Sequence, residues 1–457
     1  MTDPTFRWES ALPYPVEEVF AWHTRAGAFE RFNPPWRPVR MVKAPRSLRD
    51  GETIEIALPL VGPVSLSWKL IHKDYRENEQ FCDEQVAGPF AEWRHTHRFI
   101  SQGTNSCTMR DEVHFRAPLR LSLADPFIQR ELSRLFRYRH HVLANDLELH
   151  ARWKKEPRKT ILISGSSGFI GSALAAFLST AGHKVLKLVR HGPLNESERL
   201  WDPAGGILDP GVFDGVDVVV HLGGANLVGK RWSAEYKCEI LESRTKSSSL
   251  LCKTISRLSR KPEVVLMASA TGFYGDTGEM LVDESSPIGV GFLAETCAAW
   301  ESSARDDLRD STRLVHLRIG TVLNAAGGAL KKMLPAFTFG LGGALGSGNQ
   351  YMSWIALEDL LGVFESAIYT TSMRGAINAV APECVTNNEF TKTLGRILGR
   401  PSVMRVPAVA LRSIFGEVAD AALLASSRVA PTHLLESNYQ FLYPRLEGAL
   451  RAECGYV

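Results

Sequence analysis

The chain has 457 residues, 44% hydrophobic and 23% charged, with a net charge of +3. That length exceeds one ordinary core and fits about three domains of a soluble globular protein. The small net charge argues neither for nor against an acidic partner, no basic stripe points to a nucleic-acid reader, and no apolar run reaches the roughly 18 residues of a membrane helix.

Residues 1–152 read as a first domain. Thr53-Ile54-Glu55-Ile56-Ala57-Leu58 and Val64-Ser65-Leu66-Ser67-Trp68-Lys69-Leu70 alternate at period two, as half-buried antiparallel strands do. Asp125-Pro126 has the pattern of an N-cap followed by proline in the first turn. A long helix follows, with Ile128, Leu132, Leu135, Phe136, Leu143 and Leu147 on one stripe. A curved antiparallel sheet crossed by that helix is the expected α+β packing. Phe20, Trp22, Phe29, Phe32 and Trp36 are expected in its core. His95 and His97 share one face of a strand, and Glu112 and His114 sit on another. Two histidines on the polar face of a sheet are expected to be exposed, so no metal site is expected.

Arg152 to Lys159 is charged, contains Pro157 and reads as a linker. From residue 158 to about 400, strands alternate with helices, the signature of a parallel sheet covered on both faces. The strands are Ile161-Leu162-Ile163, Lys184 to Val189, Asp217 to Leu222, Val264 to Ser269 and Leu314 to Ile319. Gly340 to Gly348 is a glycine-rich segment, either a flexible connection or a mobile lid. Beyond Pro401 the strand signal fades. Leu411 to Leu424 and Leu434 to Leu450 read as helices, giving a small helical domain over 401–457. The seven cysteines are scattered, without Cys-x-x-Cys, and Met1 to Arg7 has no basic start and apolar core. Reduced thiols in a cytoplasmic protein are expected.

The most informative stretch is Gly165-Ser166-Ser167-Gly168-Phe169-Ile170-Gly171, between the strand ending at Ile163 and a helix through Ala173 to Leu178. Strand, glycine turn and helix together point to a dinucleotide site. Gly165 allows a sharp turn, Gly168 close approach to a pyrophosphate, and Gly171 close packing of helix on strand. The phosphates would face the positive end of the new helix. Leu222-Gly223-Gly224-Ala225 would wall the adenine and ribose. The second strand ends in Arg190 where an NAD site places a carboxylate. A guanidinium there suits a 2′-phosphate, so NADP is expected over NAD.

With these motifs in place, residues 160–400 resemble an extended, atypical short-chain dehydrogenase/reductase. More narrowly, they resemble the epimerase-like subfamily described as nucleoside-diphosphate sugar epimerase, SulA family. The resemblance rests on Ser164 to Gly171, His221 to Asn226, Gly229-Lys230-Arg231-Trp232, Gly291-Phe292-Leu293-Ala294 with Trp300-Glu301, and Gly348-Asn349-Gln350 with Ser353-Trp354-Ile355. The segments around Val429-Ala430-Pro431 and Gln440 to Pro444 resemble that subfamily's terminal domain. Residues 1–150 are similar to the START/polyketide-cyclase (SRPBCC) helix-grip fold, through Tyr14 to Phe20 and the long helix. The fold implied is α/β: a Rossmann-type doubly wound parallel sheet, preceded by an α+β helix-grip domain and followed by a small helical one.

The resemblance implies hydride transfer on a small-molecule substrate, a sugar nucleotide or other secondary alcohol or ketone. It also implies an apolar ligand for the first domain, in a cavity between sheet and helix that Phe20, Trp22, Phe29, Phe32 and Trp36 would line unless they are core. Ser269-Ala270-Thr271 with Tyr274 matches the family's serine segment, making Ser269 and Tyr274 the catalytic candidates, while Arg318 and Trp354 fall where the fold lines its substrate crevice. The Tyr-x-x-x-Lys pair is missing: none of the ten tyrosines has lysine four residues on, and Leu293 and Cys297 stand in its register. The pair normally supplies a base whose pKa the lysine lowers. Either Tyr274 serves in its place, or the protein is an NADP-sensing regulator or scaffold, an alternative that the subfamily's link to cell division suggests.

Overall fold

The computed structural model describes residues 5–60, 64–117, 125–305, 308 and 312–456. They form two compact units. The first comprises Met1–Lys154 with Ser179–Gly182 and Ala452–Val457; the second comprises Lys155–Leu178 and His183–Arg451.

The first unit is one antiparallel sheet of seven strands: β1 (Thr5–Leu12), β2 (Arg40–Lys43), β3 (Thr53–Pro59), β4 (Ser65–Arg76), β5 (Gln80–Ala87), β6 (Glu92–Ser101) and β7 (Cys107–Arg116), in the order β1-β7-β6-β5-β4-β3-β2. Helices α1 (Val16–Thr24) and α2 (Ala28–Arg31) follow β1, and α3 (Asp125–Ala151) follows β7. The apolar stripe of α3 does what its spacing requires. Leu132 and Phe136 pack on Phe6, Val113 and Phe115 of the sheet, and Leu143 and Leu147 pack with Phe20, Trp22 and Phe99. A fully buried side chain of this kind stabilises by about 1.5–3 kcal/mol. The helix begins at Asp125, with residues 118–124 outside the described range.

The second unit is a seven-stranded parallel sheet: β8 (Thr160–Ser164), β9 (Lys184–Val189), β10 (Glu198–Leu200), β11 (Val218–His221), β12 (Val264–Ala270), β13 (Arg313–Ile319) and, at one edge, β18 (Gly375–Ala379). The strand order is β10-β9-β8-β11-β12-β13-β18, so it reverses between β8 and β11. Ser164 stands opposite His221 in that register. Side chains of Leu162, Val219, Val265 and Met267 pack with Leu251 and Ile255 of helix α5 (Ala234–Ser256), the continuous apolar burial typical of a parallel sheet. Helices α4 (Phe169–Thr180) and α6 (Phe292–Arg305) complete the framework of the site.

Three short strand pairs lie outside the main sheet. β14 (Thr321–Leu323) joins β17 (Trp354–Ala356), β15 (Gly343–Leu345) joins β20 (Met404–Val406), and β16 (Tyr351–Met352) joins β19 (Val385–Thr386). The glycine-rich stretch is therefore part of a pair, and Asn387 Oδ1 accepts from Leu345 N at 2.8 Å. The region beyond residue 401 clusters with the second unit up to Arg451. Its helices are shorter than their apolar spacing predicts. The first stops at Phe415, before Gly416 at φ 61°, and is followed by a π-helical turn at Ala419–Leu424. The second divides into Thr432–Glu436 and Leu446–Glu453. Between them Asn438 takes φ 57° and Pro444 cannot donate to a helix. Ser353 Oγ donates to Ser427 O (2.7 Å) and accepts from Val429 N (2.9 Å), so the Ser353-Trp354 motif holds down the C-terminal segment.

Candidate functional site

The glycine turn sits where the strand order of the second sheet reverses, outside the carboxyl ends of β8 and β11, the usual ligand crevice of an open parallel sheet. Gly165 takes φ +72°, and a Cβ there would lie 2.8 Å from the Leu222 carbonyl carbon. A Cβ on Gly171 would lie 2.2 Å from Gly165 O. Both contacts are with backbone, so neither site admits a side chain without moving the turn or the helix. Gly168 N donates to Gly165 O at 3.0 Å, closing the turn and leaving Ser167 and Gly168 exposed at its tip. The first-turn N–H groups of α4, Phe169, Ile170 and Gly171, have no intrahelical acceptor. Ser166 is buried, and the ring of Phe169 packs against Gly327.

The second wall is Leu222 to Ala225. Arg244 of α5 lies beneath it, donating to Ala225 O and Ile240 O (both 3.0 Å), and Ser243 Oγ accepts from Ala225 N at 3.0 Å. A Cβ on Gly224 would come within 3.1 Å of the Arg244 guanidinium carbon. Behind the wall, His221 Nδ1 lies 2.5 Å from Ser164 Oγ and Nε2 lies 3.0 Å from Ser247 Oγ. Burial, and then Arg244, hold its pKa down to about 4, so the ring is neutral at pH 7. Arg190 is exposed just beyond β9, and among the described residues no carboxylate pairs with it.

Ser269, Tyr274, Arg318 and Trp354 are all buried. Ser269 Oγ donates to Glu301 Oε1 at 2.7 Å. Arg318 grips both oxygens of Glu301 (2.9 Å each) and donates to the Tyr274 oxygen at 2.9 Å. Tyr274 donates to Asn378 Oδ1 at 2.7 Å. Burial pushes the Tyr274 phenol up, more than Arg318 and Asn378 pull it down. Burial would raise Glu301, but Arg318 and Ser269 hold it below its ordinary value. Two expectations are corrected. Arg318 spends its donors on Glu301 and Tyr274 and its face on the Phe273 ring (3.4 Å), so it does not line an open crevice. Trp354 is fully buried on β17 and presents no surface to a substrate. Leu293 and Cys297 of α6 face Gly272, and burial followed by Glu301 raises the Cys297 thiol to about 11. Glu301 and Asn378 are the members that sequence reasoning missed as site residues. Glu301 was visible only as part of the Trp300-Glu301 match.

In the first unit, a cavity of about 650 Å³ lies between sheet and helices. Phe29, Phe32 and Trp36 line it, whereas Phe20 and Trp22 belong to the packed core. The polar part of its wall includes His23, His72, Asp83, His95, His97 and Arg139. His95 and His97 are 4% and 6% exposed, so the expectation of an exposed pair is corrected. They share their face with Trp93 and Phe99, which turn inward. His114 instead contacts Thr5 at the surface, and Glu112 pairs with Arg98. The partners are Asp111 of β7 and Asp83 of β5. Asp111 Oδ1 lies 2.7 Å from His95 Nε2 and 2.8 Å from His97 Nδ1, and Oδ2 lies 2.6 Å from His140 Nε2. Asp83 Oδ1 lies 2.8 Å from His72 Nδ1, and Oδ2 lies 3.3 Å from His97 Nε2. Burial opposes charge on all of them. The histidines nevertheless hold both aspartates well below the carboxylate range, and the aspartates raise His97 to about 9. Burial, reinforced by His97, lowers His95 to about 4.

Three family descriptions match this architecture. "Polyketide cyclase / dehydrase and lipid transport" matches residues 12–136, "NAD dependent epimerase/dehydratase family" matches 161–294, and a domain of unknown function (DUF1731) matches 406–453. The Mycobacterium bovis epimerase family protein Mb2239 is 42% identical over 290 residues, covering 64% of this chain and 96% of that protein. The human epimerase family protein SDR39U1 is 35% identical over 295 residues, covering 64% and 98%. Among solved structures, the nucleoside-diphosphate sugar epimerase of Corynebacterium glutamicum is similar across 99% of this chain and 90% of its own, with TM-score 0.82 and 31% identity. Human SDR39U1 (isoform 2), crystallised with NADPH, matches 65% of this chain and 99% of its own, with TM-score 0.60 and 33% identity. No helix among the described residues is long and apolar enough to cross a membrane.

Proposed function

The chain belongs to the epimerase family of these mycobacterial and human relatives, and from that premise we propose that its second unit binds NADP(H) and reduces a ketone, or oxidises the matching secondary alcohol, on a small molecule such as a nucleotide sugar. The observation that carries this reading is the backbone-to-backbone closeness at Gly165 and Gly171 on the sheet's switch point. Gly165 to Gly168 and the first turn of α4 hold the pyrophosphate. Leu222 to Ala225 wall the adenosine, and Arg190 pairs with the 2′-phosphate, a partner that NAD lacks. Bound NADPH supplies the hydride. The chain must then supply a proton to the reduced oxygen. Tyr274 is the candidate: Arg318, 2.9 Å from its oxygen, supplies the positive charge that lysine supplies in Tyr-x-x-x-Lys. Its raised pKa suits a proton donor in the reducing direction. Ser269, which donates to Glu301, would take its part through that carboxylate and Arg318. The first unit is read as the receptor for an apolar ligand, on the strength of its cavity.

A second reading is favoured by the closure of the Ser269–Glu301–Arg318–Tyr274–Asn378 chain and by Leu293 and Cys297 in place of the usual pair. In it the protein holds NADP(H) as a sensor or scaffold without turnover. One experiment separates the two. The full chain is titrated with NADPH, and absorbance is followed with a panel of nucleotide sugars, ketones and quinones. Turnover that falls about 10²–10⁴-fold in Tyr274→Phe with unchanged NADPH affinity supports catalysis. Tight binding without oxidation supports the sensor, and absence of binding to folded protein overturns both.

A further inference from the structure

The polar end of the first unit's cavity is unused by the dinucleotide reading and stands independently of it. We propose that Asp83, His95 and His97 form a binding site for one divalent transition-metal ion, with open coordination positions facing the apolar cavity.

Asp111 Oδ1 is 2.7 Å from His95 Nε2 and 2.8 Å from His97 Nδ1. A carboxylate can only accept, so His95 Nε2 carries that ring's proton, while His97 meets a carboxylate at each nitrogen and its Nε2 is hydrogen-bonded to Asp83 Oδ2. His95 Nδ1 then keeps its lone pair, and a metal ion would displace the proton that His97 Nε2 shares with Asp83. Both nitrogens face the same atom, Asp83 Oδ2, at 3.9 and 3.3 Å. One donor atom from each of the three residues lies within 4.8 Å of the others. Ligands about 2.1 Å from a tetrahedral zinc are roughly 3.4 Å apart, so small side-chain adjustments would close the set around an ion.

The outer groups are arranged as metal ligands require. Histidine ligands usually donate their second N–H to a carboxylate or carbonyl, which fixes ring orientation and raises basicity. Here Asp111 accepts from His95 and lies 2.8 Å from His97 Nδ1, and His140 anchors its other oxygen at 2.6 Å. His72 lies 2.8 Å from the outer oxygen of Asp83. All three ligands project from adjacent strands rather than loops. Asp83 is the cross-strand partner of His95, and His97 is the partner of Asp111. Two imidazoles and one carboxylate select zinc or ferrous-type ions over calcium or magnesium, which prefer oxygen donors.

The cavity defines what the open positions would meet. His23 also stands in its wall, with Nδ1 2.8 Å from Val19 O. That bond leaves the Nε2 lone pair without a partner among the described residues. Phe29, Ile56 and Trp68 line the apolar remainder. The chemistry suits a molecule with an oxygen-donor head at the metal and a hydrophobic body.

The test uses the full chain, stripped by chelation and dialysed. Equilibrium dialysis with Zn²⁺, and the visible spectrum with Co²⁺, should show one ion per chain in a low-symmetry site with nitrogen ligands. Asp83→Asn and His97→Gln should weaken binding at least 10-fold, and Asp111→Asn by about 10–100-fold, as loss of an outer partner does. His114→Ala, at the surface, should leave it unchanged. Crystals grown with Zn²⁺ give a readout that needs no variant: anomalous density between the three side chains. Density only at surface histidines, or equal Zn²⁺ affinity in folded Asp83→Asn, overturns the proposal.

Discussion

Each unit buries a polar cluster, and the two are built differently. In the second unit, Glu301 accepts from Arg318 and Ser269, Arg318 donates to Tyr274, and Tyr274 donates to Asn378. Donors and acceptors are matched along the chain, and the charges cancel. In the first unit, two aspartates meet four histidines. Once Asp111 has accepted from His95 and His140, His95 Nδ1, His97 Nε2 and an oxygen of Asp83 converge on one point and share a single proton there. A matched cluster defends itself against water and fixes the geometry of what adjoins it. A cluster in which three donor atoms share one proton beside a cavity can exchange that proton for a metal ion. The contrast separates a matched network from a ligand site, although both look alike as lists of buried charges.

The largest effect should come from breaking the matched cluster. Glu301→Ala leaves the guanidinium of Arg318 buried without its carboxylate, which costs about 3–5 kcal/mol. Urea unfolding followed in the second unit should show it. The paired replacement Glu301→Leu with Arg318→Met should recover most of that loss, because two apolar side chains need no partners. A cost below about 1 kcal/mol for Glu301→Ala would mean that water reaches the pair and that the cluster is not closed.

The difference between the clusters also explains what the sequence made legible. The glycine cradle could be read because close backbone approach demands glycine at fixed offsets, and Gly165 and Gly171 show that approach at 2.8 and 2.2 Å. The strands of the second sheet could be read because burial on both faces leaves continuous apolar runs. The partners of His95 and His97 could not, because sheet register chooses them. Glu112 and His114 are close in sequence to the correct partner, yet one residue of offset sends a side chain to the other face. On β7, Cys107, Met109, Asp111, Val113 and Phe115 turn inward, and Glu112 and His114 do not. The available signal was Asp111 interrupting an apolar alternation, matched by His95 and His97 between Trp93 and Phe99. The Glu301–Arg318 pair was hidden for a similar reason: it exists only because α6 packs on β12 beside β13.

Histidines sharpen the comparison with a smaller, pH-dependent effect. His97 faces carboxylates, whereas His221 of the second unit faces the hydroxyls of Ser164 and Ser247 and the charge of Arg244. The His221 folded pKa of about 4 lies below the ordinary 6.5. The unfolded chain therefore binds the proton first. Stability from this residue is complete above pH 6.5 and is lost as pH falls towards 4, at about 1.4 kcal/mol per pH unit and roughly 3 kcal/mol in all. Hydrogen exchange of the β8 and β11 amides, measured from pH 7 to pH 4 against intrinsic rates, should show this loss of protection. His221→Asn, which keeps a polar side chain but cannot titrate in this range, should flatten it. An equal slope in both proteins would assign the acid sensitivity to other groups.

The smallest effect belongs to a charge outside either cluster. Arg190 is exposed, so it has not paid for desolvation, and its attraction to any partner is screened by solvent and salt. Its contribution must come from geometry, a guanidinium fork meeting a phosphate that only one of the two nicotinamide dinucleotides carries. Arg190→Ala should therefore weaken NADPH about 10-fold, roughly 1.4 kcal/mol, and leave NADH almost unchanged. Fluorescence titration of both cofactors at two ionic strengths measures it. The NADPH penalty should shrink at high salt, because the wild-type advantage is an exposed ion pair. Equal losses for both dinucleotides would place Arg190 in the scaffold of the turn and move the choice of cofactor elsewhere on the site.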